Sequence, residues 1–185
     1  MSKILNPVTG HTAPEASRPV LEAVGKAYGF VPNLLATFAN SPTTLQGYTT
    51  LDGIWEKGTL TAVERQLVLL TASTENACGY CGAAHATVAK MLKADASTVN
   101  AVRTGAPIAE SKLNALVALT RELVAARGHA RQQTIDAFLV AGYTAPQVLE
   151  VLVGIALKTI SNYLDHINPT EIDAPFAAER EPAAS

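Results

Sequence analysis

Along nearly all of this 185-residue chain, apolar residues recur at steps of three and four between glycines, prolines and capping residues that cut it into pieces of helical length. That spacing keeps one face of an α-helix apolar, whereas a half-buried strand needs alternation at every second residue. Pro14 to Tyr28 places Val20, Leu21, Val24 and Tyr28 on one side, and GFVPN then ends the run. Ser41 and Pro42 read as an N-cap and a first-turn proline that open a helix through Leu45, Tyr48, Leu51 and Trp55 to a stop at Gly58. Thr61 and Glu64 fit a capping box, and VERQLVLLTAST follows them. Further helices are expected from about Ser97 to Thr104, Glu110 to Arg127, Arg131 to Val140 and Thr144 to His166. Valine and isoleucine sit among Ala, Leu, Glu and Gln, which favour helix, so no strand is predicted and the expected fold is all-α. LTAVERQLVLLTAS and YTAPQVLEVLVGIALKTI both open on Thr-Ala before a strongly apolar helix, which fits either a duplicated helical unit or shared helix chemistry.

With 48% hydrophobic and 16% charged residues, a chain of this length can build one packed core, and a single domain is expected over residues 1–170. From Ile167 onward the sequence turns rich in Pro, Ala and Glu. Residues 171–185 are therefore expected to leave the body as a C-terminal tail, disordered or resting on a neighbouring subunit. Fourteen basic and sixteen acidic residues are scattered without a run of either sign, a net charge of -2 that argues against nucleic acid and against a polybasic membrane patch. The most apolar stretch, VLEVLVGIALKTI, is interrupted by Glu150 and Lys158 and reads as a buried core helix, short of a membrane span. MSKILNPVTG has no apolar region of signal-peptide length. Two cysteines are too few for a disulfide scaffold, so a cytoplasmic location is expected.

Both cysteines fall in TENACGYCGAAH, with a glutamate before them and a histidine after. If the segment is helical, Glu75, Cys78, Cys81 and His85 fall within about a third of the helix circumference and face one pocket. Cys81 and His85 are an i, i+4 pair, so an imidazole there can take the thiol proton and stand beside the thiolate. Cys78 lies one turn from Cys81, within reach of a disulfide if the backbone permits. Gly79, Gly82, Ala83 and Ala84 leave room for a substrate to approach sulfur. A thiolate of this kind attacks a hydroperoxide to give a sulfenic acid, the second cysteine condenses with it, and an external dithiol resets the pair. Glu75 is expected to orient the imidazole or pass protons to it through water. Cys81 is the expected attacking sulfur, with Cys78 resolving; the reverse order stays open, since a cysteine nearer a helix N-terminus gains from the helix dipole.

Three other readings compete. Buried cysteines also serve as small apolar filler. A zinc site needs a fourth ligand beyond Cys78, Cys81 and His85; Glu75 could supply it, but mixed sites of that kind are uncommon. A thioredoxin-type motif expects a neighbouring βαβ pattern that this chain lacks. Neither a metal nor another cofactor is expected.

The run ENACGYCGAAH resembles the signature of the alkylhydroperoxidase D-like proteins of the carboxymuconolactone decarboxylase family. FVPNLLATFANSPTTLQGY, LTAVERQLVLLTAS and LVGIALKTISNYLDHI are similar to the peroxidase-related branch, so the likeness runs over roughly residues 20–170. It implies an all-helical fold, a homotrimer or homohexamer, and thiol peroxidase or disulfide reductase activity without a metal, reset by a thioredoxin-like or lipoyl protein. The best-known alkylhydroperoxidase D proteins carry a relay glutamate in the preceding helix, where this chain has Gln66, with Glu64 two positions earlier. The resemblance therefore passes the acidic role to Glu75. Decarboxylase members lack the cysteine pair, which makes a lactone the lesser expectation.

Other chemistry-bearing side chains have plain explanations. His11 lies in an N-terminal stretch, and His129 and His166 stand at helix C-termini, where positive charge is favoured. Tyr28, Tyr48 and Trp55 fit core or subunit contacts, and Tyr80 points off the cysteine face toward packing. Asn162 and Tyr163 fit either a pocket lining or a solvated helix end.

Overall fold

Caps fix three of the helix starts. Ser41 Oγ accepts the Thr44 N–H, Thr61 and Glu64 close a reciprocal box, and Thr144 and Gln147 make a second box just ahead of Pro146. In the computed structural model, which describes residues 3–180, the helices are α1 (Arg18–Tyr28), α2 (Asn33–Phe38), α3 (Pro42–Trp55), α4 (Ala62–Glu75), α5 (Gly79–Met91), α6 (Ala96–Thr104), α7 (Ser111–Ala125), α8 (Gln132–Val140) and α9 (Ala145–Ile167). No strand occurs among the described residues. No single helix there is long and apolar enough to cross a membrane.

The short helix α2 is absent from the sequence expectation, which stopped at GFVPN. Six residues after Pro32 are too few to be helical alone; burial of Leu34, Leu35, Ala36, Thr37 and Phe38 holds them. At the centre lies α4, with residues 67–73 all buried and α5, α6, α7 and α9 packed around it. Its Leu67 and Leu70 enter a core with Val99, Val102 and Val117, while Val68 and Leu69 enter another with Trp55, Leu116, Phe138 and Leu157. A helix buried on all sides must be apolar on all sides, which is why VERQLVLLTAS has no polar stripe.

The two segments with Thr-Ala starts, α4 and α9, lie against each other and brace each other's approach. Glu150 of α9 accepts the N–H groups of Thr59 and Leu60 ahead of α4, and Glu64 of α4 accepts the hydroxyl of Tyr143 ahead of α9. Trp55 Nε1 donates to the Glu150 carbonyl at 2.8 Å, locking the end of α3 onto α9.

The expected departure of the chain after residue 170 requires correction as far as Arg180. Residues 171–180 fold back on the body, with a 3-10 turn at Ala174–Glu179 packed on α5. Asp173 accepts the Tyr80 hydroxyl at 2.6 Å and the Asn33 N–H, Phe176 is buried edge-on to Tyr80, and Glu179 pairs with Lys90 and Arg103. A segment with one aromatic and two well-placed acids can dock despite its Pro- and Ala-rich composition. The rest of that expected tail, residues 181–185, lies outside the described residues.

Candidate active site

Between α4 and α5 the chain turns through Asn76, Ala77 and Cys78, and Ala77 takes a left-handed φ of 54°. The Ala77 and Cys78 N–H groups close back on Thr74 and Ser73, ending α4 there. Glu75 is thus the last residue of one helix and Cys78 the N-cap of the next, so the single helical face assumed from residue 75 to residue 85 does not exist. The Cys78 sulfur accepts the Cys81 N–H at 3.3 Å in place of the usual oxygen cap. From there Cys78, Cys81 and His85 do share one face of α5, at steps of three and four.

That face meets α9 running the other way, and the side chains match in order. Cys78 Sγ stands 3.4 Å from Asp165 Oδ2, Cys81 Sγ stands 3.9 Å from Ser161 Oγ, and His85 Nε2 is 2.7 Å from Lys158 Nζ. On the other side of the imidazole, Nδ1 is 2.9 Å from Gln66 Oε1 of α4. An amide oxygen only accepts, so Nδ1 carries the proton and Nε2 accepts from the lysine ammonium. Asn162 steadies the turn, accepting from Asn76 Nδ2 and donating to Ser73 Oγ.

Burial and these neighbours divide the two thiols. Cys81 is lowered to about 7, first by the hydrogen bond from Cys78, then by the Lys158 charge and Asn162 against the opposing effect of burial. Cys78 is pushed up, first as the donor to Cys81, then by burial, the Cys81 charge and Asp165. Burial and the adjacent Lys158 charge hold His85 well below its ordinary range, so it is neutral. For Lys158, burial pulls down, but Tyr48 and the cysteines more than compensate and the net shift is upward. Both cysteines are free and nearly closed to solvent, at 2% and 1% exposure. They belong to an apolar cluster with Leu34, Phe38, Leu45, Tyr80, Leu164 and Phe176.

Residues 42–122, from α3 into α7, match the sequence profile of the carboxymuconolactone decarboxylase family. No curated protein sequence matches the chain. Among solved structures, an uncharacterized peroxidase-related protein from Ralstonia eutropha with an alkylhydroperoxidase D core superposes with a TM-score of 0.83 at 21% identity, over 95% of this chain and 96% of the other. The debrominase Bmp8, solved as a cysteine-to-alanine variant in complex with 2,3,4-tribromopyrrole, gives 0.81 at 17% identity over 97% and 96%. A peroxidase-related protein from a Silicibacter species gives 0.80 at 16% over 96% of both chains. At these identities the likeness is one of fold: the chain has the all-helical, alkylhydroperoxidase D-like fold.

Within this fold the structure groups Cys78, Cys81 and His85 but leaves Glu75 apart. Glu75 pairs with Arg121 of α7 at 2.6 Å, and the imidazole that it was expected to orient has both nitrogens engaged elsewhere. Gln66 stands where the resemblance puts the relay glutamate and makes that contact as an amide. Glu64 is occupied by its capping box and Tyr143. His85 does not hydrogen-bond either sulfur; the expected Cys81–His85 contact is replaced by one from His85 to Lys158. Lys158, Ser161 and Asp165, which face these three residues from α9, were not singled out from the sequence, although Lys158 was visible as one of two charges in the most apolar stretch. Asn162 is fully buried at the site, and Tyr163 is exposed. Among the described residues no three His, Cys, Asp or Glu side chains gather as a metal-ligand set.

Proposed function

We propose that this protein is a thiol-dependent hydroperoxide reductase or dithiol oxidoreductase that works through Cys81 and Cys78. The observation that carries the reading is the pair itself: Cys78 caps α5 and accepts the Cys81 N–H one turn on, with the Cys81 thiol drawn down and the Cys78 thiol pushed up. A thiolate that persists near neutral pH is the nucleophile such chemistry needs, and a neighbouring thiol is what resolves it. The Cys81 thiolate attacks the distal peroxide oxygen, the O–O bond breaks, and the alkoxide leaves to be protonated as the alcohol. Cys78 then attacks the sulfenic sulfur, water departs, and a disulfide remains. An external dithiol, such as a thioredoxin-like or lipoyl protein, takes over the disulfide and returns both thiols. A homotrimer or homohexamer accords with the large apolar side chains exposed on α8 and α9, among them Val140, Leu149 and Leu152.

Peroxide consumption with a supplied dithiol tests this reading. Sustained turnover that is lost in Cys81→Ser is the expected result; turnover that survives loss of both thiols would refute it. Burial of both sulfurs favours a second reading, a redox-responsive protein that is oxidised once and slowly, and a single stoichiometric oxidation without turnover would select it. The same nucleophile suits an electrophilic halogen, so tribromopyrrole, the compound bound by the debrominase of this fold, belongs in the assay as a second oxidant.

A further inference from the structure

Lys158 is 1% exposed in the middle of α9, and a buried ammonium is tolerated only with counter-charge and hydrogen bonds. Among the described residues no carboxylate lies within ion-pair distance of it. One proton goes to His85 Nε2 at 2.7 Å, and the ammonium lies 5.9 Å from the centre of the Tyr48 ring. His85 cannot supply negative charge, and its Nδ1–H is committed to Gln66. The groups facing this cation are Tyr48 and Asp52 on α3, Tyr28 on α1, and Cys78, Cys81 and His85 on α5. Asp165 lies two turns along α9 and is engaged by Cys78 and by the Thr170 N–H. Burial and nearby acids push the Tyr28 and Tyr48 phenols up, so both stay neutral, and burial raises Asp52 as well. Cys81 stands one helical turn from His85 on the same face of α5, within the field of this ammonium, which it shares with Asp52.

We propose that Lys158 is the positioning residue that makes Cys81 the nucleophile: its buried ammonium, aimed by His85, is the counter-charge of the Cys81 thiolate, and His85 serves as the acceptor that holds the cation in place of acting as the base. The inference rests on reading Cys81 as the attacking sulfur. It replaces a proton relay with a fixed charge. The thiol proton is lost to solvent before substrate arrives, and the thiolate persists because the cation beside it does.

The full chain carrying Cys78→Ala has Cys81 as its one thiol and removes the competing contribution of the Cys78 hydrogen bond. In it the thiolate is titrated by its ultraviolet absorbance, with and without Lys158→Met. The expected result is a midpoint that rises by about one pH unit or more in Lys158→Met, which is a tenfold or larger loss of thiolate below the midpoint. Lys158→Arg keeps most of the original midpoint. A folded Lys158→Met protein with an unmoved midpoint overturns the proposal. Should Lys158→Met fail to fold, Cys78→Ala alone decides: a midpoint clearly below the ordinary thiol value of about 8.5 supports the cation, and one at or above it overturns it. Peroxide turnover does not enter this readout. A lysine-dependent midpoint without turnover therefore rejects the enzymatic reading while leaving the charge pairing intact, and turnover with a lysine-independent midpoint does the reverse.

Discussion

The Nδ1–H of His85 is given to an amide oxygen, Gln66 Oε1, where a carboxylate would draw the proton much more strongly. With an uncharged acceptor on one side and an ammonium on the other, the imidazole has no reason to become cationic, and burial adds to the cost. His85 in the native protein should stay neutral through the range where a free imidazole, at about 6.5, is half protonated. Gln66→Glu should move its protonation upward by placing a negative charge against Nδ1. Nuclear magnetic resonance of the ring Cε1–H reads both; a native His85 that titrates like a free imidazole would contradict this arrangement. At this scale the sequence displayed the cysteines and the histidine because their spacing is a pattern. Lys158 was not legible as a partner because a lone lysine in an apolar helix more often has its stem buried and its head in water, and only the antiparallel register of α5 on α9 shows that its head is enclosed. Glu75 misled for the converse reason. Its spacing to the cysteines is helical, but the left-handed Ala77 breaks the helix between them.

Helices α4 and α9 form the frame that sets this register, and their contact is tight where α9 carries Gly154. A Cβ there would lie 2.6 Å from Trp55 Cζ2 and 2.8 Å from Val68 Cγ1, both in buried side chains with no room to retreat. Gly154→Ala should therefore destabilise the fold although alanine is the better helix former. Overpacking costs about 1–3 kcal/mol and the propensity gain returns about 1 kcal/mol. Denaturant unfolding should show a lower midpoint at unchanged slope; a stabilised variant would mean that α9 does not seat against Trp55 as described. Starts of α3, α4 and α9 could be read in advance because Ser41, Thr61 and Thr144 satisfy orphan N–H groups locally. The helix α2 could not, since what holds it is burial supplied by distant parts of the chain.

Across the whole molecule, the two ends of the described chain are tied back to the body, and Phe176 shares a buried cluster with the cysteines. Asn168 accepts the N–H groups of Ile4 and Leu5, and Asp173 links Tyr80 of α5 to the start of α2. The all-α class was legible because helical periodicity is a local property. The return of residues 171–180 was not, because it depends on a few long-range partners such as Tyr80 and Asn33 that composition does not reveal. Burial of the sulfurs keeps their surroundings low in dielectric, which strengthens every charge acting on them. The most direct measurement is the mass of the intact, reduced protein after one equivalent of hydroperoxide, followed by peptide mapping. The account predicts the loss of two hydrogens as a Cys78–Cys81 disulfide within one chain, with no such product in Cys81→Ser. Sulfurs that stay reduced, or that oxidise without pairing with each other, would contradict it.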